Sequence, residues 1–206
     1  MGIKTYEEMN ELEIDILKEI GSIGGGNAAT ALSSMLNAKV NMSLPKVEIL
    51  DFNEALVNVG DPEEVVAAIL VEMSGELGGI MLFILTKEFS DEILLRMLGK
   101  TKEDFFELEE IDSSVLMEIG NIVISSYITA MASLVNMSVE LSVPQLAVNM
   151  LGGIMSVPIA MMGQHSDRIM MITGNFMIDE KALNSNMLLL PDVESLNVLM
   201  KKLGVE

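Results

Sequence analysis

Residues 114–144, SVLMEIGNIVISSYITAMASLVNMSVELSVP, form a long, largely apolar stretch that carries polar residues at regular spacing. Ser114, Glu118 and Asn121 follow one another at intervals of four and three residues, which places them on one face of an α-helix. The opposite side is apolar and consists of Val115, Leu116, Ile119 and Ile122. A carboxylate and a carboxamide one turn apart can act together, because Glu118 can bind a cation on a partner while Asn121 orients a water molecule. We therefore place the candidate functional site on this helix.

The same stretch occurs a second time, 99 positions earlier in the chain. Residues 12–45 align without gaps to residues 111–144, and twelve of the 34 pairs are identical. The identical pairs include Glu19/Glu118, Gly21/Gly120, Thr30/Thr129, Asn37/Asn136 and Pro45/Pro144. A match of this length predicts an internal duplication.

Composition narrows the classes of function. The 206 residues include 31 acidic and 12 basic side chains, for a net charge of −19. Such a charge argues against binding to nucleic acid or to an anionic membrane surface, and favours a protein or small-molecule partner. The chain has no cysteine, which excludes disulfides and thiolate metal sites. Because the N-terminal residues are polar and acidic, with no signal-peptide pattern, we expect a cytoplasmic protein.

Two uncharged runs, 20–38 and 119–139, raise the question of a membrane span. The second run is long enough to cross a bilayer, which needs about 20 residues. However, it contains Asn121, Thr129 and Asn136, and the residues that flank it are acidic rather than basic. A buried helix without membrane insertion is therefore the better interpretation.

The first half of the chain is predicted to begin with a helix from about residue 7 to 37. The glycine run 24–26 is expected to bend or interrupt it, and close helix packing explains this run better than a nucleotide loop does. Strands are predicted at 40–50 and 52–59, and two more around a turn within 61–86. A helix at 87–98 ends before Gly99, and 100–112 is expected to be a charged connection. Its acidic run 103–112 is expected to be solvated, and Glu109, Glu110 and Asp112 within it also suit the start of a helix.

The second half is predicted to repeat this plan less regularly. After its long helix, strands are expected at 145–150, 167–179 and 182–191, followed by a closing helix within 191–204. Residues 152–166 are apolar but carry Gly and Pro where the first half has its second strand, so they remain unassigned. About six extra residues are expected between 152 and 168.

These elements predict the fold class α+β. We expect a single domain, 1–206, of pseudo-twofold symmetry, built from two helix–strands–helix repeats at about 7–99 and 106–204. The two repeats would share one mainly antiparallel sheet. The two long helices that carry the repeated motif would pack against each other.

The repeated pattern Asp/Ser-x3-Glu-x2-Asn-x22-Pro resembles that of the CheC/CheX/FliY phosphatases, which act on the phosphorylated chemotaxis response regulator CheY. Ser114, Glu118, Asn121 and Pro144 fit the pattern in full. The resemblance extends over essentially the whole chain, and the presence of two motifs favours the CheC branch of the family.

The resemblance implies a role for each motif residue. Glu118 would pair with the active-site lysine of the receiver domain, and Asn121 would hold a water in line with the aspartyl phosphate. The chain would need no cofactor of its own, because Mg²⁺ would come from the phosphorylated receiver. The receptor deamidase CheD is a further partner that the resemblance implies.

The first copy departs from the pattern at one position. Asp15, Glu19 and Pro45 keep their spacing, but Ser22 stands where asparagine is expected. Since serine is shorter by an amide group, we expect this copy to bind a receiver through Glu19 and to catalyse weakly or not at all.

Other interpretations of these residues remain open. The chain could be a binding module for the receiver or for CheD with little turnover, or a purely structural duplicated domain in which the Glu/Asn pair is an ordinary solvated surface. Pro45 and Pro144 are expected to be structural and to fix the start of a strand. His165, the single histidine, is expected to be a loop residue rather than a general base.

Overall fold

The computed structural model describes residues 9–43, 45–162 and 168–204, which form six α-helices and eight strands. The first half contains α1 (Glu11–Leu36), β1 (Val40–Met42), β2 (Lys46–Asp51), α2 (Phe52–Val59), β3 (Val65–Gly75), β4 (Gly79–Leu85) and α3 (Lys87–Leu98). The second half contains α4 (Glu110–Val135), β5 (Val139–Leu141), β6 (Gln145–Met150), α5 (Leu151–Met162), β7 (Arg168–Ile178), β8 (Lys181–Pro191) and α6 (Val193–Lys202). The two halves therefore contain the same elements in the same order.

The eight strands form one antiparallel sheet. Its central path is β1-β7-β8-β4-β3-β5, while β2 also pairs with β7 and β6 also pairs with β3. All seven strand pairings among the described residues are antiparallel. The predicted α+β class with a shared, mainly antiparallel sheet is confirmed.

The repeats interlock through this sheet. Among the described residues, strands β1 and β2 of the first half pair only with β7 of the second, and β5 and β6 of the second half pair with β3 of the first. The pairing of β4 with β8 lies at the centre, so the strand order reads symmetrically outward from it. Neither half contains the partners of its own outer strands.

Helices cover both faces of the sheet. The larger core lies on the face covered by α1, α3, α4 and α6, and the smaller core lies under α2 and α5 on the other face. Alternate residues along β3 divide between them, with Ile69 in the larger core and Ala68 in the smaller one. This alternation follows from the two-residue period of a strand.

Helices α1 and α4 pack directly against each other, as predicted. The glycine run does not interrupt α1, which continues from Glu11 to Leu36, so the expected interruption was wrong. A Cβ atom at Gly24 would lie 2.8 Å from the Cα of Tyr127 on α4. Glycine is therefore required because the two helix backbones approach closely, which confirms the packing explanation.

The strand predicted at 52–59 was wrong, because this segment forms helix α2. Asp51 accepts a hydrogen bond from the Glu54 backbone N–H at 2.8 Å, and Glu54 accepts one from the Asp51 backbone N–H at 3.1 Å. This reciprocal capping box satisfies two N–H groups at the helix start. The sequence carries this box, and the apolar residues at 52, 55, 56 and 59 have the spacing of one helix face, so both local signals favour the helix.

The unassigned segment after β6 forms α5, the counterpart of α2. Helix α5 has 12 residues and α2 has eight, so four of the six extra residues expected here lie in the helix. The strands expected on either side are confirmed as β6 and β7. Residues 163–167 lie outside the described residues, and so does the prediction for His165.

Residues that are identical in the two repeats have the same structural role in both halves. Asn37 and Asn136 end α1 and α4 in the left-handed conformation, with φ of 46° and 52°. Asparagine adopts this conformation more readily than most residues, which explains its presence at both helix ends. Ser43 and Ser142 accept hydrogen bonds from the backbone N–H groups of Asn175 and Glu72 on the neighbouring strands.

Helix α4 is long and apolar enough to cross a membrane by length and composition alone, with a mean hydropathy of 1.5 over its most apolar window. Half of that window is buried within the protein. Its buried residues include Leu116, Ile119, Val123 and Ile124, which are part of the larger core. The fold thus accounts for the apolar character of α4 as that of a core helix.

Candidate functional site

The complete motif lies on α4 and faces outward. Ser114 and Glu118 are exposed, and Asn121 is half-buried on the next turn. The Ser114 hydroxyl donates to the Glu110 carbonyl oxygen at 2.8 Å. Within the described part of the chain, the side chains of Glu118 and Asn121 have no hydrogen-bond or ion-pair partner. A carboxylate and a carboxamide on adjacent turns are therefore both available to an outside molecule.

The core holds this helix face in place. Leu116 and Ile119 are fully buried, and Val115 and Ile122 are half-buried against the same core, as the spacing predicts. Gly120 lies so close to β3 that a Cβ atom there would be 3.1 Å from the Cβ of Ile69. Because Gly120 precedes Asn121, the motif sits where α4 packs closely against β3.

An ionic cluster anchors the start of α4. Asp112 is fully buried, and its carboxylate oxygens lie 3.0 Å from Lys100 Nζ and 3.1 Å from Lys102 Nζ. The same carboxylate accepts a hydrogen bond from the Glu109 backbone N–H at 3.0 Å. Burial alone would raise the pKa of Asp112, but this N–H and the two ammonium groups outweigh it and hold the pKa below its ordinary value.

This cluster corrects the prediction of a solvated connection before α4. Phe105 and Asp112 are both buried, and Lys87 on α3 donates to the backbone carbonyl of Lys102. Sequence reasoning noted Asp112 as a helix-start residue but missed its burial. A signal was present, since two lysines precede an acid in the first turn of a helix.

The first motif has the same layout on α1. Asp15 and Glu19 are exposed, and Ser22 is half-buried in the position that corresponds to Asn121. Asp15 forms an exposed ion pair with Lys18 at 2.8 Å. The first site therefore presents a carboxylate beside a hydroxyl rather than beside a carboxamide.

The two motif prolines stand immediately before a strand. Pro45 precedes β2 and Pro144 precedes β6, which agrees with the structural role expected of them. A Cβ atom at Gly21 would lie 3.4 Å from the Pro45 ring, so this proline lies under the helix turn that carries Ser22. The number of residues between motif and proline is therefore the number that the chain needs to finish the helix, turn back and pass beneath it.

No group of three or more His, Asp or Glu side chains within the described ranges could hold a metal ion. Both motifs lie on exposed helix faces rather than inside an enclosed cavity. A face of this kind suits contact with a folded macromolecule, because an enclosed pocket is the usual environment for a small substrate.

Fold and site together define a class of protein: duplicated α+β domains in which two paired helices, packed on a shared sheet, each display a motif that contains a glutamate. The CheC-like family model matches residues 12–49 and 111–148, which span the motif helix and the first two strands of each half. A protein of *Bacillus subtilis* strain 168 named CheY-P phosphatase CheC is 33% identical over 98% of this chain and 99% of its own length. The chain belongs to the CheC-like family.

Two further relatives agree with this placement. The flagellar motor switch phosphatase FliY of *Bacillus subtilis* is 30% identical over 69% of this chain and 37% of its own length. The crystal structure of *Thermotoga maritima* FliY superposes with a TM-score of 0.75 at 20% identity, covering 96% of this chain and 98% of that one. At that identity the superposition shows the shared fold.

Proposed function

We propose that this chain is a phosphatase that hydrolyses the aspartyl phosphate of a CheY-type response regulator and so terminates a chemotaxis signal. The observation that carries this proposal is the pair of exposed Glu118 and half-buried Asn121 on adjacent turns of α4, whose side chains have no partner among the described residues. Membership of the CheC-like family and the named activity of the *Bacillus subtilis* relative support it.

Glu118 docks on the receiver by pairing with the lysine beside its phosphorylation site. The carboxylate is exposed and has no internal partner among the described residues, so the pairing breaks no bond within the protein. An ion pair formed at an interface, with part of the surrounding water removed, fixes orientation as well as contributing affinity.

Asn121 positions the attacking water in line with the phosphorus atom. A carboxamide can accept one hydrogen bond from the water and donate another to a phosphoryl oxygen. Phosphoryl transfer depends mainly on positioning and on stabilisation of charge, so one well-placed amide suffices as the contribution of this chain. Mg²⁺ belongs to the receiver, where it neutralises charge on the phosphoryl group.

The first motif acts as a receiver-docking site with little or no turnover. Glu19 matches Glu118 in exposure, whereas the Ser22 hydroxyl ends closer to its own helix than the Asn121 amide does. This substitution is also what favours the second candidate function, an adaptor that binds the receiver or CheD without much hydrolysis. We place the protein in the cytoplasm, where its receiver resides, with no role in nucleic-acid binding or membrane insertion.

Loss of phosphate from a phosphorylated CheY-type receiver tests the proposal, with wild type, Asn121→Ala and Ser22→Asn compared. Wild type should accelerate dephosphorylation, and Asn121→Ala should lose roughly 10²-fold of that acceleration, as is typical when one positioning group is removed. Ser22→Asn should raise the total rate, because it completes the first motif.

Binding measurements separate the two candidate functions. Asn121→Ala should still bind the phosphorylated receiver, whereas Glu118→Ala should weaken that binding. If the wild-type chain binds the receiver but leaves its dephosphorylation rate unchanged, the phosphatase proposal fails and the adaptor takes its place.

A further inference from the structure

A large apolar side chain is exposed at the same position in the first turn of both motif helices. Leu12 on α1 is 60% exposed and Ile111 on α4 is 53% exposed. The two residues are 99 positions apart, so they occupy equivalent places in the duplication. A single exposed apolar residue is ordinary on a protein surface, but the repetition of one at equivalent positions calls for a shared reason.

Each of these residues belongs to the stripe that carries the motif. Ile111 precedes Glu118 by seven residues, and two residues seven apart on a helix are offset by only about 20°. Leu12 has the same relation to Glu19. Each helix therefore presents, from its first turn onward, an apolar side chain, a short polar one, the glutamate, and then Ser22 or Asn121.

Local helix stability does not explain the apolar residue. A hydrophobic staple joins the residue before the N-cap to the fourth helical residue. The N-caps are Asn10 and Glu109, so Leu12 and Ile111 stand at the second helical position, which takes no part in a staple. The helix faces that fill the larger core are provided by other residues, including Leu17 on α1 and Leu116 on α4.

The surroundings of each apolar residue indicate the chemistry of its partner. Glu11 and Glu110 are exposed beside Leu12 and Ile111, and Glu19 and Glu118 are exposed two turns further along. Each apolar side chain thus has one carboxylate beside it in the first turn and a second one further along its own stripe. A partner surface with an apolar patch beside basic side chains is therefore complementary to the apolar side chain and to the carboxylates.

We propose that Ile111 and Leu12 are apolar anchors of the two receiver-docking surfaces and that each docking surface extends one turn beyond its motif. This inference rests on the proposed function, because it takes the receiver as the occupant of the motif stripe. The continuity of Ile111 with Glu118 identifies that occupant. On binding, the receiver buries the isoleucine while its lysine pairs with the glutamate.

The test compares Ile111→Ser with Val57→Ser. Val57 is 74% exposed on α2, across the sheet from the motif helices, and serves as the matched control. Steady-state hydrolysis of a phosphorylated CheY-type receiver gives KM and kcat, and calorimetry with the beryllofluoride-loaded receiver gives the dissociation constant. Both variants alter exposed positions, so both should keep the wild-type circular dichroism.

Ile111→Ser should raise KM and the dissociation constant about tenfold and leave kcat within twofold of wild type, since an anchor contributes equally to substrate and transition state. Val57→Ser should change neither KM nor the dissociation constant. An unchanged KM in Ile111→Ser, or a fall in kcat at constant KM, would overturn the inference.

The same measurements separate this inference from the proposed function. A wild-type chain that binds the beryllofluoride-loaded receiver without hydrolysing the phosphorylated one overturns the phosphatase alone. In that case the dissociation constant of Ile111→Ser still shows whether Ile111 is an anchor for the receiver. A wild-type chain that does not bind the receiver overturns both.

Discussion

Gly24 and Gly26 stand two residues apart on α1 and illustrate how much a single methyl group matters at close packing. A Cβ at Gly24 would meet the backbone and ring of Tyr127, while a Cβ at Gly26 would meet nothing within 4 Å. In the duplication, the counterpart of Gly24 is Val123 and the counterpart of Tyr127 is Ala28. The pair of positions that holds Gly and Tyr in one arrangement therefore holds Val and Ala in the other.

We predict opposite effects for alanine at these two glycines. Gly24→Ala should destabilise the protein by about 2 kcal/mol, because the helices must move apart to admit the methyl group. Gly26→Ala should stabilise it by about 0.5–1 kcal/mol, because alanine favours the helix and has free space. Urea unfolding of both variants checks this, and equal effects would contradict the close approach of α1 and α4.

One amide group distinguishes the two motif sites at the residue scale. Ser22 and Asn121 have the same half-buried position one turn after an exposed glutamate. The difference between them is the reach of the side chain and the number of hydrogen bonds it can make with one water. The gain of activity predicted for Ser22→Asn follows from this difference alone.

At the scale of elements, the ionic cluster around Asp112 fixes where α4 begins. In the first helix, Asn10 and Glu13 form a reciprocal capping box, with hydrogen bonds of 2.6 and 3.1 Å. Asp112 stands at the position of Glu13 and likewise accepts from the N-cap backbone N–H, but it also pairs with two lysines of the preceding connection. The anchor ties α4 to the end of α3 as well as to its own first turn.

We predict that Asp112→Asn destabilises the protein by about 2 kcal/mol, the magnitude of hydrogen bonds to a charged group. Glu109→Gln should have a much smaller effect, because Glu109 is largely exposed and its ion pairs are screened by water. Chemical denaturation of both variants at neutral pH is the measurement. Equal losses would show that the burial of Asp112 has no special importance.

The pH dependence of this contribution has a definite sign. The pKa of Asp112 is lower in the folded protein than its ordinary value of about 3.9, so the unfolded chain takes up the proton first on acidification. The stabilisation is therefore complete above about pH 4 and is lost as the pH falls through the folded-state pKa. In the acid limb of unfolding, Asp112→Asn should show a shallower dependence on pH than wild type.

At the scale of the whole molecule, the two repeats are halves of one sheet. Strand β2 depends on β7 and β6 depends on β3, so each half lacks a partner for its outer strands. The two sets of helices cover cores that contain residues from both halves. The two repeats are therefore interlocked, and each of the two cores contains residues from both repeats.

We predict that fragments 1–104 and 105–206 do not fold cooperatively when expressed separately, because their apolar strand edges lack partners. Coexpression should reconstitute a complex with the circular dichroism of the intact chain. Thermal unfolding and sedimentation velocity are the measurements. A cooperative transition in either fragment alone would show that the repeats fold independently.

Much of this architecture was predictable, because the local signals agreed with the final fold. The duplication, the two long helices, the paired strands within 61–86 and the helix ending before Gly99 were all predicted and are all present. The exception is α2, for which the predicted strand was wrong although two local signals favour a helix: the Asp51/Glu54 capping box, and the apolar residues Phe52, Ala55, Leu56 and Val59, which share one helix face.

The sequence alone determined the repeat, the spacing of Glu118 and Asn121 on one helix face, and the substitution at Ser22, because each depends only on residues that are near in the chain or identical in two copies. Tertiary structure decided the exchange of strands between the halves, the close approach of Gly24 to Tyr127, the burial of Asp112 among lysines and the exposure of Ile111. These features depend on which distant segments come together. Neither side-chain periodicity nor composition carries that information, because both describe only the local chain.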